Sequence, residues 1–525
     1  MRGRSLAAIL LLLVAAAALH GSAVAGFWLY DDPALLVEAI REPASGVLFD
    51  PAEYTHLAAH TFTPLLVFSF KLDLLLGGLR PAIFYAHQIA ALALAGVLMF
   101  LLLRRYVDEI FALLGSATFL ATWASTYAAR TLMIRHYVEG LVFALAALLA
   151  WRRSKTLASF FYLLAMLSKE VYAPIPLFFI CQSRFEGRSW RQIARELIAP
   201  AAAAIVFLAW RWFMTGLTGT YPQSLAPPGD LASLPGKLWI HLVGPITPLW
   251  IVIVWTTAIA IVLALFVLRF GGRAIAFIAV TLVVTLLPLL PLTGNFEWRY
   301  SFAFVAFSVA AFTVAAGTSG HRWPIAVLAI LLITIVVGSL PQRRWYEDLT
   351  RNGIAREGEY IWSQPATAPV LGAGSPQWYI DSLRWLREWD HRGEAPRAVF
   401  SSYAITLGGV EPVVFVDPVT RTFFGTPAIW QRERDRFDPK LPLTVDFALR
   451  NHDAQWQVGP PAAQFVFLTD PGYTAISIPP AGVQRVPSAR ERQFFRIVRI
   501  EQSGHWTASP TLPIPAEGGV TNYRR

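Results

Sequence analysis

Up to about Leu340 the chain is a succession of apolar stretches, most of them roughly 16–23 residues long, the length a helix needs to cross a hydrocarbon core ~30 Å thick. In hydrocarbon no water satisfies a backbone amide, so a chain of this kind is confined to a bundle of membrane-crossing helices. The stretches are 5–27, 81–103, 110–128, 138–151, 157–168, 171–183, 196–214, 248–268, 274–292, 301–317 and 323–340. They predict about eleven spans, the fourth to sixth being short enough to tilt, break or extend into polar neighbours. With 55% hydrophobic and 15% charged residues, a soluble enzyme and a disordered chain are excluded. A single cysteine, Cys181, excludes an internal disulfide framework.

Charge orients the set. With the N-terminus inside, the inner segments hold 14 basic residues, from Arg2 and Arg4 to Arg322, against four acidic ones. The outer loops are slightly acidic. The formal net charge of +10 is therefore inner-face bias, the positive-inside rule, and nucleic acid is not needed to explain it. The same reasoning puts the tail, 341–525, outside. This tail reads as a small exported domain, β-rich or α/β, with a helix over 378–389 and strands over 399–407, 412–416, 464–468 and 494–500. The expected organisation is an all-α polytopic domain, 1–340, with an outer loop at 28–80, followed by a soluble extracytoplasmic domain, 341–525. Arg2, Arg4 and Ala23-Val24-Ala25 also match a cleavable signal peptide; we read the segment as a retained first span. The loop following it faces outward in either case.

Spans are explained by their hydrophobicity, so the ionisable residues at their ends carry the information. Four places stand out on the outer face. Tyr30-Asp31-Asp32-Pro33 follows the first span; adjacent carboxylates raise each other's pKa, which suits a general base or a metal ligand, while Asp-Asp-Pro also makes a good helix start. Ser168-Lys169-Glu170 sits in a tight gap before Pro174 and Pro176, as a mutual ion pair or as site residues. Arg130 and Arg135-His136-Tyr137 run against the charge trend, as snorkelling cations or as phosphate ligands. Asn295 to Tyr300 places Arg299 beside two aromatics, as an interfacial anchor or an anion clamp. No P-loop, HExxH, GxSxG or paired CxxC occurs in the sequence, so nucleotide hydrolysis and zinc chemistry lack support. Carboxylates and several cations on one face form the inventory for moving a group off a lipid-linked phosphate.

The order of these motifs resembles that of the multi-spanning GT-C glycosyltransferases, nearest the protein O-mannosyltransferase-like and TMTC-like branch. The matching features are Asp31-Asp32; Thr63-Pro64-Leu65 through Ser69-Phe70 and Leu72-Asp73; Gly78-Leu79-Arg80-Pro81; Tyr85-Ala86-His87; Arg135; Leu167-Ser168-Lys169-Glu170 with Pro176-Leu177; and Arg299-Tyr300. They cover roughly residues 5–315 of the chain. Relatives often continue from the histidine as HxxNxxxH, where this chain has Ala90 and Leu94. The tail also lacks the helical repeats of about 34 residues that TMTC proteins carry. Both departures bear on the acceptor more than on the reaction.

The resemblance implies sugar transfer, with inversion, from a polyprenyl-phosphate donor to a hydroxyl on the outer face of a bacterial inner membrane, the N-terminus cytoplasmic and the tail periplasmic. The acceptor class, whether protein, lipid or polysaccharide, stays open. It assigns Asp31 as general base, Asp32 to the acceptor or to a shared metal, and Glu170 to the acceptor or sugar hydroxyls. Arg135, Lys169 and Arg299 fall to the donor phosphate, with Arg130, His87 and Tyr300 as further cavity residues. No cofactor is required and a divalent metal is optional, because protein cations can neutralise the leaving phosphate. Competing readings are a transporter or flippase, for which internal repeats and mid-membrane charges are expected, and a non-catalytic polysaccharide-assembly protein. The loop segments 35–40, 54–59 and 65–76 are expected to lie along the membrane surface as amphipathic walls; the last could instead be a further short span.

Overall fold

The computed structural model describes residues 2–52, 62–216, 234, 236–238, 248–290, 298–321, 323–408, 413–414, 428–450, 453–470, 475–485, 494–516 and 518–525. Two compact units divide the chain, Met1–Glu347 and Asp348–Arg525.

The first unit is helical. An uninterrupted Ala/Leu run makes α1 (Arg2–His20), which ends in a 3-10 turn, Gly21–Ala25. The loop that follows is helical too: α2 (Asp32–Arg41), α3 (Ala44–Phe49) and α4 (Pro64–Gly77). Next come α5 (Pro81–Leu103), α6 (Glu109–Ala121), α7 (Trp123–Arg130) and α8 (Arg135–Ala150). Then follow α9 (Lys155–Ser168), α10 (Pro176–Phe185), α11 (Trp190–Glu196) and α12 (Ile198–Thr215). The last four are α13 (Leu249–Phe270), α14 (Gly272–Leu286), α15 (Phe302–Thr318) and α16 (Trp323–Leu349).

Among the described residues eight helices are long and apolar enough to cross a membrane, nine if α6 and α7, bent by 53° at Thr122, form one span. The protein is therefore a multi-pass membrane protein. Eleven apolar stretches do become helical, but two fall short of a full span. Helix α9 has 14 residues, because Lys169 leaves it in extended geometry (φ −159°, ψ 131°). Residues 171–183 then begin as a 3-10 turn, and α10, started by Pro176, has only 10 residues. Helix α4 has 14 residues and stops at Gly78, whose φ of +61° suits a residue without a Cβ; it is not among the spans. The expected amphipathic segment at 54–59 lies outside the described residues.

Burial grades the bundle. The span containing α8 has 72% of its residues buried, against 17% for α12 and 22% for α13, so α8 is a central post while α12 and α13 turn large apolar side chains such as Ile205, Trp212 and Leu268 to the lipid. Inner helices approach closely at small residues. A Cβ on Gly140 of α8 would run into the Tyr172 ring, and one on Gly115 of α6 into Thr313 of α15.

The second unit contains α17 (Ala355–Ser363) and α18 (Gln377–Trp389). Helix α18 buries Tyr379, Ile380, Leu383 and Leu386, one face at helical spacing. Short parallel strands, β1 (Leu371–Gly372), β2 (Ala398–Val399) and β3 (Val413–Val414), make a three-stranded sheet in the order β2-β1-β3. Two further helices are α19 (Ser402–Gly408) and α20 (Ala428–Asp435). Antiparallel strands follow: β4 (Thr444–Arg450), β5 (Asp453–Gly459), β6 (Gln464–Asp470), β7 (Ala475–Ile478), β8 (Ala481–Arg485) and β9 (Phe494–Ile500). The chain ends in β10 (Trp506–Ala508), β11 (Leu512–Pro513) and β12 (Val520–Arg524). They form sheets ordered β10-β9-β6-β7 and β12-β4-β5-β8, with β11 paired to β9. Val445, Phe447, Phe465, Phe495 and Ile497 share one core cluster drawn from both sheets. The strand expected over 399–407 is instead mostly α19: two residues pair as β2 and the chain then coils. The helix at 378–389 and the strands at 464–468 and 494–500 are present.

Replacing Gly115 by Leu forces α6 and α15 apart, and overpacking of this kind costs about 1–3 kcal/mol. A lowered melting temperature in detergent is expected, whereas Gly272→Leu, which meets no neighbouring atom within 4 Å, should leave it unchanged.

Candidate functional site

The acidic pair is placed by a tightly held turn. Gly26 is close-packed, since a Cβ there would sit 2.9 Å from the Ala23 carbonyl and 3.0 Å from the Tyr85 ring. The Tyr85 hydroxyl donates to the Phe27 carbonyl at 2.7 Å. Tyr30 then adopts φ +46°, an uncommon left-handed conformation for a residue with a side chain, and turns the chain into α2. Asp31 occupies the N-cap position, yet its side chain makes no capping hydrogen bond. Asp32 instead turns inward: it is fully buried, its Oδ2 accepts the Leu29 N–H at 2.8 Å, and the Met133 backbone also bears on the carboxyl.

The two carboxyls thus live in different surroundings. Burial pushes the Asp32 carboxyl up to about 8, with the Leu29 N–H opposing and the Asp31 charge reinforcing the rise. Burial also raises Asp31, and the positive charge of Arg299 pulls it back. One group is kept protonated and the other is set beside a cation. No group of three or more His, Cys, Asp or Glu poised for a metal occurs among the described residues.

Lys169 and Glu170 lie where α9 breaks. Pro174 and Pro176 prevent the helix from continuing, and the extended Lys169 directs its ammonium to Glu170 Oε1 at 3.1 Å. Lys169 is 6% exposed, its ammonium 5.6 Å from the Tyr137 ring centroid. Glu170 Oε2 is buried without a hydrogen-bond partner. Burial works to raise this carboxyl, but Lys169, a backbone hydrogen bond and the more distant Arg211 outweigh it and hold it below its usual range. Arg299, half-buried, lies over the Tyr300 ring at 5.2 Å and contacts its hydroxyl at 3.4 Å. Its charge bears on Asp31 and, with that of Lys169, on His136. Asp31, Arg299, Lys169 and Glu170 therefore gather around the first turn of α8. The preceding 295–297 lie outside the described residues.

Arg135 behaves differently from expectation. It is fully buried and contacts Gln88 Oε1 at 3.3 Å, Ser69 Oγ at 3.1 Å, the Phe84 carbonyl at 2.7 Å and Asp73 Oδ2. Its guanidinium also lies 4.8 Å from the Phe70 ring centroid and 5.7 Å from that of Phe84. Each nitrogen is thus engaged within the fold. His87 joins the same network, Nδ1 to Asp73 Oδ1 at 2.7 Å and Nε2 3.7 Å from Glu139 Oε1; Ser69 donates to that Glu139 oxygen at 2.5 Å. Arg130 is bound to Ser22 Oγ at 2.9 Å and to Glu347 Oε1 at 2.5 Å.

Two acidic residues escaped the sequence reading. Glu139 lies inside an apolar stretch, and an intramembrane carboxylate is by itself a signal. Glu347 falls within the segment that hydropathy assigns to the tail, whereas α16 continues past Leu340 and through Pro341 to Leu349.

No family model matches the chain, and no curated protein matches it. Among solved structures it is similar to the crystal structure of ArnT from Cupriavidus metallidurans bound to undecaprenyl phosphate, with a TM-score of 0.42 and 11% identity over 74% of this chain and 89% of that one. A likeness this distant leaves the site to be read from its own geometry.

The raised Asp32 pKa has a consequence for stability. Between 3.8 and about 8 the folded protein holds a proton that the unfolded chain has lost, so stability falls as pH rises through that window. Asp32→Asn keeps an oxygen for the Leu29 N–H and removes the titration. The variant should flatten the pH dependence of the detergent melting temperature between about pH 4 and 8, and an unaltered profile would contradict this account.

Proposed function

We propose that the protein is a GT-C-type glycosyltransferase that moves a sugar from a polyprenyl-phosphate donor to a hydroxyl acceptor on the outer face of a bacterial inner membrane. The observation that carries this reading is the division of the acidic pair: Asp31 at the end of a turn facing Arg299, Asp32 sealed beneath it. The motif order shared with GT-C enzymes supports it.

In this reading Asp31 takes the proton from the acceptor hydroxyl as its oxygen attacks the anomeric carbon, and the sugar inverts as the polyprenyl phosphate leaves. The leaving phosphate gains about one negative charge, so cations that meet it stabilise the transition state more than the bound donor. Arg299 and Lys169 supply them. Glu170, anchored to Lys169 through one oxygen, offers the other to a hydroxyl of the sugar or the acceptor. Asp32 holds the turn that aims Asp31, and Arg135, with His87, braces α4, α5 and α8 beneath the site. Arg130 ties α7 to α16. The sugar and the acceptor are not chosen by these residues.

Transfer in nanodiscs from radiolabelled polyprenyl-phosphate mannose, glucose and arabinose, with membrane extract as acceptor pool, tests the proposal. Asp31→Asn should lose about 10²–10⁴-fold in turnover, the usual contribution of a general base. Arg299→Gln should lose roughly 2–4 kcal/mol of barrier stabilisation, mostly in kcat. Activity should survive a chelator. Undiminished transfer by Asp31→Asn would remove that residue from the role, and a folded protein that consumes no donor would overturn the transferase reading.

A further inference from the structure

At the opposite end of the bundle from Asp31 lies a second candidate site. Helix α5 begins beside the Asp73–His87–Arg135 network and ends at Leu103, and α8 begins at Arg135 and ends at Ala150. The far ends of these helices, with parts of α10, α13, α14 and α15, enclose a cavity of about 420 Å³. Its walls are apolar and largely aromatic, with Phe178, Phe266, Phe277 and Phe307 among them. Its polar lining is Arg105, Tyr106, Arg152, Gln182 and Arg273, together with Thr318.

These polar groups are incompletely satisfied. Arg105 donates Nη2 to the Leu149 carbonyl at 2.7 Å, but its Nη1 is buried without a partner. Gln182 Oε1 is also buried and unpartnered, Gln182 being only 7% exposed, and the Tyr106 hydroxyl is buried beside Arg152. Arg152 is paired with Glu186 at 2.7 Å, and that carboxylate also acts on Arg105; the cavity lining itself holds three arginines and no acidic side chain. Buried donors and acceptors without partners are costly and uncommon, and they point to a missing ligand. That ligand must bring an anionic oxygen for the guanidinium groups, a hydroxyl that can donate to Gln182, and hydrocarbon to lie against the phenylalanines.

We propose that this cavity binds an anionic phospholipid of the adjoining leaflet, with its phosphodiester at Arg105 and Arg273 and a headgroup hydroxyl at Gln182 and Tyr106. Its acyl chain runs along Phe178, Phe277 and Phe307. The site is independent of the transferase reading and needs only that the helices span a membrane. Apolar walls favour a lipid over free phosphate, and three arginines sharing one nearby carboxylate favour an anionic headgroup over a zwitterionic one.

Native mass spectrometry of the full-length protein in detergent provides the test, with dioleoyl-phosphatidylglycerol, dioleoyl-phosphatidic acid, dioleoyl-phosphatidylcholine and inorganic phosphate as separate probes. Phosphatidylglycerol should bind about tenfold more tightly than phosphatidylcholine, and inorganic phosphate in excess should not displace it. Arg273 is exposed, so Arg273→Gln should fold normally and reduce that preference severalfold. Gln182→Leu should abolish discrimination between phosphatidylglycerol and phosphatidic acid. Arg153→Gln, a basic residue of the same face outside the cavity, should change neither. Equal binding of the anionic and zwitterionic lipids, or a preference untouched by Arg273→Gln, would overturn the proposal; displacement by inorganic phosphate would replace the lipid with a free anion and overturn it equally.

Discussion

The end of the bundle that carries Asp31 depends on one buried guanidinium. Arg135 opens α8, and four hydrogen bonds from its three nitrogens reach α4 through Ser69 and Asp73 and α5 through Gln88 and the Phe84 carbonyl. A short apolar loop helix is thereby locked to two spans. Such a pair is weak evidence for net stability, because both charges had to be desolvated, but removing one partner strands the other and costs about 3–5 kcal/mol. The network is a specificity device: it fixes where α4 docks, and therefore where the first turn of α8, with His136 and Tyr137, meets Arg299 and Lys169.

Polar groups at the two ends of the bundle are treated differently. At the end that carries Asp31, asymmetry does the work: a neutral carboxyl under a charged one, a lysine that holds one glutamate oxygen and leaves the other bare. At the other end, charge is in excess. The arginines there satisfy the positive-inside bias, yet a bias needs only their presence near the interface. Their convergence on an aromatic cavity beside an unpartnered glutamine is a separate fact that no charge count contains.

Much of the helical unit was legible because periodicity and length act locally. An apolar run of this length has one low-energy answer in lipid, so α5, α13 and α16 sit close to where hydropathy puts them. The misses have equally local causes. The apolar run ends at Leu340 while α16 continues through Pro341, so Glu347, the partner of Arg130, reads as part of the tail. Residues 399–407 carry β-branched and aromatic residues, yet only Val399 pairs with β1 before the chain coils into α19. Strand propensity expresses a partner's availability as much as a residue's preference.

By itself the sequence determined the membrane class, the helical spans and the segregation of chemistry-bearing residues to span ends, because hydrophobicity and charge are summed along the chain and need no knowledge of neighbours. It could not distinguish Arg135 from Arg299, or Asp31 from Asp32, since each pair presents the same charge at the same interface. Tertiary structure decided those roles. Packing of α4 against α5 and α8 enclosed Arg135 with a carboxylate, an amide and two carbonyl or hydroxyl oxygens, while Arg299 stayed beside Asp31; the turn at Tyr30 sent one aspartate inward and left its neighbour half-exposed. Burial and partner geometry, rather than residue type, set what a charged group can do in a bundle whose surroundings exclude water.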